Sequence, residues 1–434
     1  MAEIRPFRAW RYNNALQKEI SDLVSPLFDV VSQRQREKLY SNPHSSIHLS
    51  VPSGTDPVKN ATETIQRWKE NGTIIQDQIP AIYVYYQYFT LPGDNRELCR
   101  KGFIANLKIY DWDEGMLLRH ENTMPFSVND RMDILDATKL NVSPTHGLYT
   151  EPAMVIENIL DKAMESPLYE TEDYQGVRDV FGIIQDAKEI KQILDIISEK
   201  KIILADGHHR YEGSLFYKNK RAQENPNHTG KEGYNYHMMW FTNTESDDLR
   251  ILPTHRLIRD LQGFSETNLL KKLSEYFTIR ELEEPTQVGE IILGKKNAFG
   301  ILIGNKAFKI RLKSEFEDKV SWEFPDTIKK LDLTIMHYFV LEKSLGILGK
   351  DQRNSTNLSF ERNFAKCHEE VLTGKAQCAI ITKDISIDTV KEVCYSGYTL
   401  PQKSTYFYPK AICGFLFSSI KEEEFNSYFD EAFS

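Results

Sequence analysis

The sequence predicts a mixed α/β and α+β fold in two parts. An α/β domain built on a mixed sheet is expected over residues 1–262, and an α+β domain over residues 263–434. Three observations predict this. Strand-like and helix-like segments alternate through residues 1–262, the pattern of a sheet flanked by helices. Past residue 262 the texture shifts to capped amphipathic helices and a hairpin. The 434 residues, 40% hydrophobic and 11% aromatic, carry enough apolar surface for more than one core.

The elements follow in order. LVSPLFDVVS (23–32) reads as a short strand or turn, and QRQREKLYSNP (33–43) as a helix stopped by Pro43. SSIHLSVP (45–52) alternates like a strand. DPVKNATETIQRWKENG reads as a helix capped by Asp56, with Pro57 in its first turn and Gly72 at its end. AIYVYYQYFTLPG is rich in aromatic and β-branched residues, as strands are. FIANLKIYDW and GMLLRHENT are two further strands with DEG turning between them. Helical spacing returns in 153–164 and 186–200, bracketing the strand VRDVFGIIQ. KIILA is a short strand, a helix runs from about His209 to Lys220, and YHMMWFTN is a buried strand. Residues 218–235 read as a long polar loop, either a lid or plain surface. In the second part, SETNLLKKLSEYF is a capped helix and AFGILIGNKAFKIRL a hairpin turning at Gly304-Asn305. DTIKKLDLTIMHYFVLEKSLG is one long helix ended by Gly346, with Met336 and His337 in or near the core. SFERNFAKCHEEVLTG is a helix, AQCAIIT a strand, ISIDTVKEVCYSG a helix and CGFLFSSI a strand.

Composition narrows the function. A net charge of −9 disfavours a non-specific nucleic-acid binder, which needs a basic footprint. Five widely spaced cysteines without CxxC suggest neither a zinc knuckle nor a disulfide framework. The start MAEIRPFRAW lacks an apolar signal region, and no apolar run approaches a membrane span. The expectation is a cytoplasmic protein with neither membrane nor nucleic acid as partner.

The densest chemistry is DGHHRYE (206–212), at the end of the KIILA strand. Gly207 permits a tight turn, and the helix that follows begins with unpaired N–H groups that attract anions. Arg210 adds a forked cation suited to phosphate, while His208 and His209 add donors or an acid/base pair near neutral pH. The bland alternative is Asp206 capping the helix and Arg210 in an ion pair. Asp206, His208 and His209 are also possible metal ligands, but no HExxH or second His/Asp cluster supports them. Walker A, GxGxxG and GxSxG sequences are missing.

The chain resembles the DUF1015 family almost end to end. The resemblance rests on IRPFRAWRYN (4–13), SPLFDVVS (25–32), RHENT (119–123) with DR (130–131), SPTHGLY (143–149), ADGHHRYE (205–212), ILPTHRLI (251–258) and LPQKSTYFYPKAICG (400–414). The family's usual PPYDV is here Pro26-Leu27-Phe28-Asp29-Val30, which removes any tyrosine hydroxyl at that point. The DGHHR turn is also similar to the G-x-x-R phosphate-binding turn of the ParB/sulfiredoxin-like fold. Members of that superfamily include free serine kinases. The resemblance implies a nucleotide phosphate held at Asp206, Gly207, His208, His209 and Arg210. The catalytic cysteine of sulfiredoxin has no counterpart in 206–210.

Other residues are weighed in that frame. Glu121, beside His120, is a base for a hydroxyl proton or half of a surface pair. His120, Arg131 and Asp29 are substrate-binding candidates. Arg131 is otherwise a partner for Asp130, and Asp29 otherwise a turn cap or, with Asp206, a Mg²⁺ ligand. Arg256 reaches the same anion or is structural. Lys403, Ser404, Thr405 and Lys410 surround Tyr406, Phe407 and Tyr408, an arrangement that covers a nucleotide or anchors the last domain. The expected function is a nucleotide-dependent phosphotransferase on a small hydroxy metabolite, free serine among the acceptors. ADP or ATP would be co-substrate with Mg²⁺, and Glu121, His208 and His209 would carry the proton chemistry. A phosphohydrolase on phosphoserine-type substrates and a nucleotide-responsive binding module are the alternatives.

Overall fold

The structure is a computed structural model that describes residues 1–27, 32–91, 94–173, 175–401 and 403–425. Contacts divide the chain into two compact units. The first comprises Met1–Arg119, Thr123–Leu249 and the chain from Pro409 onward; the second comprises His120–Asn122 and Arg250–Tyr408.

The first unit is built on a mixed sheet. Its strands are β1 (Ile4–Arg5), β2 (Ile82–Phe89), β3 (Leu98–Lys108), β4 (Leu117–Arg119), β5 (Thr145–Tyr149), β6 (Tyr169–Glu172), β7 (Arg178–Ile184), β8 (Ile202–Asp206) and β9 (Tyr236–Asn243). They lie in the order β6-β7-β2-β3-β9-β5-β8-β4, with β1 on β3. The pairs β8–β4 and β9–β5 are parallel, and the other pairs of this sheet are antiparallel. Alternation along β2 decides which residue faces which layer. Ile82, Val84 and Tyr86 join a core with helices Val155–Ala163, Ala187–Ser198 and His208–Glu224. Tyr83 and Tyr85 join a second core with helix Pro57–Glu70 and the returning residues Phe415–Phe417. Both faces are buried, so the strand reads as a nearly continuous apolar run.

The second unit holds an antiparallel sheet of β10 (His255–Ile258), β11 (Phe277–Leu282), β12 (Ala298–Ile303), β13 (Lys306–Leu312), β14 (Leu358–Glu361) and β15 (Cys378–Ile381), ordered β11-β13-β12-β15-β10-β14. Helix Glu266–Tyr276 and the segment Asp332–Ser344 cover one face, and helix Phe364–Leu372 the other.

Many expected elements form. Asp56 accepts from the Lys59 N–H, with Pro57 in the first turn of its helix. Several do not form as expected. Residues 47–50 are a helical turn rather than a strand, with Ile47 and Leu49 both buried; alternation over so few residues serves either shape. The strands Leu98–Lys108 and Leu117–Arg119 are not a hairpin, because β4 pairs with β8 at the sheet's far edge. Helix His208–Glu224 runs well into the expected 218–235 loop. The long 326–345 helix breaks after Lys329 and restarts at Asp332, whose carboxylate accepts from the Asn297 N–H at 2.9 Å and pairs with Lys383 at 2.6 Å. Leu358–Glu361 is a strand ahead of its helix. Residues 409–425 pack in the first unit instead of completing a 263–434 domain, because Phe415, Leu416 and Phe417 fill the core beneath β2. Among the described residues, no helix is long and apolar enough to cross a membrane.

Candidate functional site

Strand β8 ends on a bulge. Leu204 pairs with Gly147, but Asp206 pairs with His146, so one extra residue is inserted at Ala205. A bulge of this kind re-aims the side chains beyond it. Gly207 follows at φ +90°, and a Cβ there would lie 2.6 Å from Thr145 Cγ2 and 2.9 Å from the Arg210 guanidinium. Only glycine fits that turn. Helix His208–Glu224 then starts with Gly207 as its N-cap and no side-chain cap.

Asp206 is not the cap because its carboxylate is engaged elsewhere. Lys410 Nζ donates to Oδ1, and Arg210 donates to Oδ2 at 3.0 Å. All three side chains are largely buried. Burial pushes the Asp206 carboxyl up, but the Lys410 ammonium and Arg210 guanidinium outweigh it and hold it well below the usual carboxylate range. Two cations around one carboxylate leave a net positive charge beside uncapped helix amides. That combination suits an anion.

Arg210 is less available than its sequence context suggests. It also donates to Ser143 Oγ at 2.9 Å and to the Pro144 carbonyl at 2.6 Å. It therefore ties the turn to the 143–146 segment, an i,i+4 pair with Asp206 included. Its Nε and the Thr145 hydroxyl are buried with no partner among the described residues.

Lys410 is positioned by a buried polar network. Gln87 Nε2 donates to the Lys410 carbonyl at 3.0 Å, and Arg100 donates to the Pro409 carbonyl and to Gln87 Oε1. Asp179 Oδ1 accepts from Tyr85 Oη at 2.6 Å and from Gln87 Nε2 at 2.9 Å. Burial pushes the Asp179 carboxyl up to about 7, against the lowering effect of those two hydrogen bonds. The Arg100 guanidinium lies 4.6 Å from the Trp240 ring centre. Across the bulge, His146 Nε2 bonds Thr242 Oγ1 at 2.7 Å and its ring stacks on Trp240. Burial and then the Arg100 charge hold His146 well below its ordinary value, so it is neutral.

The histidines of the turn differ in what they do. His208 opens the helix and is buried. The Met124 N–H donates to His209 Nε2 at 3.0 Å, so that nitrogen carries no proton to give. Thr123 Oγ1 donates to Glu212. His209 and Glu212 together fasten the start of helix Pro125–Thr138. Arg131, on that helix, pairs with Asp130 and donates to the Ser50 carbonyl at 2.8 Å, with its side chain largely buried.

The second unit gathers a separate set. His120 Nε2 bonds Thr405 Oγ1 at 2.6 Å, the Lys403 N–H donates to Glu121 Oε1 at 3.3 Å, and Asn122 donates to Thr399 Oγ1 at 2.9 Å. Ser404 bonds the Pro401 carbonyl. Arg256 is fully buried, donating to the Thr254 carbonyl and to His337 Nε2. Burial pushes its guanidinium down to about 9, against the charge of Glu121. This is a structural arginine rather than one presented to an anion.

Asp29 lies outside the described residues. The Mg²⁺ expectation at Asp206 does not fit, because both carboxylate oxygens face cations of the chain. Among the described residues, no group of three or more His, Cys, Asp or Glu side chains gathers at one point. Sequence reasoning did not single out Gln87, Arg100 or Asp179. The single polar residue within the YVYYQYF strand was the available signal. Ser143, Thr145 and His146 stood in the SPTHGLY motif with no role attached.

The sequence model of the family described as "Protein of unknown function (DUF1015)" matches residues 4–334, so the chain belongs to that family. Comparison with curated proteins finds none that matches. Among solved structures, the chain is similar to a free serine kinase in complex with AMP, at 12% identity, covering 75% of this chain and 93% of that one, with a TM-score of 0.34. It is similar to a conserved hypothetical protein from Pyrococcus furiosus, at 12% identity, 75% and 97% coverage and a TM-score of 0.34. It is also similar to SbnI with C-terminal truncation from Staphylococcus aureus, at 10% identity, 73% and 87% coverage and a TM-score of 0.36.

Proposed function

We propose that this DUF1015 member is a nucleotide-dependent phosphotransferase that holds a phosphate group at the turn Asp206–Arg210 and transfers phosphate to a small hydroxylated metabolite. The observation that carries the reading is the uncapped helix N-terminus at Gly207, with Lys410 beside it and Asp206 turned away into its ion pairs. Phosphoryl transfer asks mainly for positioning and charge neutralisation, which backbone amides and Lys410 supply. Arg210 acts by holding the turn against Ser143 and Pro144. The acceptor class, free serine among its members, rests on the resemblance of the turn to that of free serine kinases. ADP or ATP is the donor.

The variant Lys410→Met tests the phosphate site. It removes one cation and leaves Asp206 balanced by Arg210, so the ion pair that holds the turn is retained while the net positive charge is lost. Calorimetric titration of the full chain with ADP and ATP should show binding weakened about tenfold or more. Unchanged affinity would remove the reading. Phosphorus NMR then separates the chemistries: phosphoserine formed from serine plus nucleotide supports transfer, and phosphate released from phosphoserine alone supports hydrolysis.

A further inference from the structure

The second unit contains a cavity of about 670 Å³ lined only by residues of that unit. Its volume lies within the range of small-molecule sites. Trp322, Phe324, Phe360 and Tyr398 form its aromatic lining. Trp322 is held in place: its Nε1 donates to Glu342 Oε2 at 3.1 Å, and the Gly349 N–H donates to the same oxygen at 2.9 Å. A Cβ on Gly349 would lie 2.6 Å from the indole, so glycine at that position lets the ring seat there.

The polar lining is unusual. Thr334 is 1% exposed, and its hydroxyl has no partner among the described residues. A helical threonine ordinarily bonds a carbonyl one turn back, and a buried hydroxyl without a partner costs roughly 1–3 kcal/mol. The helix changes character at this point. After Asp332–Ile335 it continues as a π-helix, Met336–Ser344, a rare form frequently found at functional sites. The Leu345 N–H reaches the Val340 carbonyl at 3.0 Å, five residues back. Gln352 Nε2 donates to the His337 and Ile347 carbonyls.

His337, one turn beyond Thr334, also lines the cavity. Gln352 Oε1 accepts from its Nδ1–H at 2.7 Å, and its Nε2 accepts from Arg256 at 3.2 Å. Both ring nitrogens are therefore committed, and Thr334 is left as the deep hydroxyl without a partner. Lys350 and Arg353 line the cavity against one carboxylate, Glu323. The lining thus offers flat apolar faces, one buried hydroxyl and a net positive charge.

We propose that this cavity binds a planar aromatic ligand carrying an anionic group. The ring lies against Trp322 and its aromatic neighbours, an edge heteroatom meets the Thr334 hydroxyl, and the anion meets Lys350 and Arg353. Two sources share this chemistry, a nucleotide and an aromatic carboxylate. The site is independent of the phosphate turn in the first unit.

Calorimetric titration of the full chain with AMP and, separately, with 4-hydroxybenzoate tests the assignment. Both titrations use the Lys410→Met background, in which phosphate binding in the first unit is weakened and does not obscure the signal. Binding of either probe that Thr334→Val and Arg353→Gln each weaken about tenfold supports the site, and the probe that binds identifies the source. Thr334→Val is close in shape and removes a hydroxyl with no protein partner, so it should fold. Arg353 is exposed, which keeps the test available if the valine variant does not. Ligand-dependent quenching lost in Trp322→Phe would place the probe at the indole. Failure of both probes to bind at millimolar concentration, or binding indifferent to both substitutions, would overturn the proposal.

Discussion

Removing the Lys410 ammonium should expose how strongly the turn depends on it. Lys410 and Asp206 are both largely buried, with side chains 11% and 16% exposed. Taking one partner from a buried ion pair costs roughly 3–5 kcal/mol, because the other charge stays buried. Arg210 still donates to Asp206 Oδ2 at 3.0 Å, so the lower end applies, about 3 kcal/mol for Lys410→Met. In a unit of this size that corresponds to a fall in Tm of roughly 6–12 °C. Urea unfolding followed by tryptophan fluorescence reports it, since Trp10, Trp68, Trp112 and Trp240 all lie in the first unit. Adding Asp206→Asn should deepen the loss, because the buried Arg210 guanidinium is then left without its counter-charge. The pH profile has a definite sign. The folded Asp206 carboxyl lies below its unfolded value, so its contribution is present above about pH 4 and is lost as pH falls through the folded value. In Lys410→Met that acid loss should begin at higher pH. A loss under about 1 kcal/mol, with an acid profile superimposable on the wild type, would refute the pairing.

Two further outcomes follow from neighbouring residues. Asp179 has a folded value raised to about 7, so it lowers stability as pH rises from about 4 to 7, where the unfolded chain ionises first. Asp179→Asn keeps an acceptor for Tyr85 and Gln87, and should flatten that slope and leave the protein more stable than wild type at pH 8, by on the order of 1 kcal/mol. A wild-type slope retained in the variant would assign the titration elsewhere. Gly207→Ala should cost roughly 2–4 kcal/mol, from left-handed strain and the contact with Thr145, and should abolish nucleotide binding; circular dichroism melting and the same titration read the two effects, and an alanine variant that matches the wild type in both would contradict the turn geometry.

Much of the first unit was legible because local signals and tertiary packing agree there. Asp56 caps its helix, β2 alternates between two cores, and the turn at Gly207 joins a strand to a helix. Where the two disagree, the sequence was misleading. Asp332 has a tertiary partner in Lys383, so the helix expected over 326–345 is broken there. Leu117–Arg119 has the pattern of a hairpin partner, but the edge position beside β8 is set by contacts distant in sequence.

The sequence by itself determined that a strand ends in Asp206-Gly207 and opens a helix, because that depends on propensity and on glycine's freedom at positive φ. It also determined that His208, His209 and Arg210 cluster there, because they are adjacent. Tertiary structure decided what each one does. Asp206 is an ion-pair partner rather than a cap, because Lys410 arrives from 204 residues away. His209 secures the amide of Met124, and Arg210 secures the 143–144 segment. A hydrogen-bonding group accepts whichever partner folding brings within reach, and for these side chains that partner lies far away in the chain.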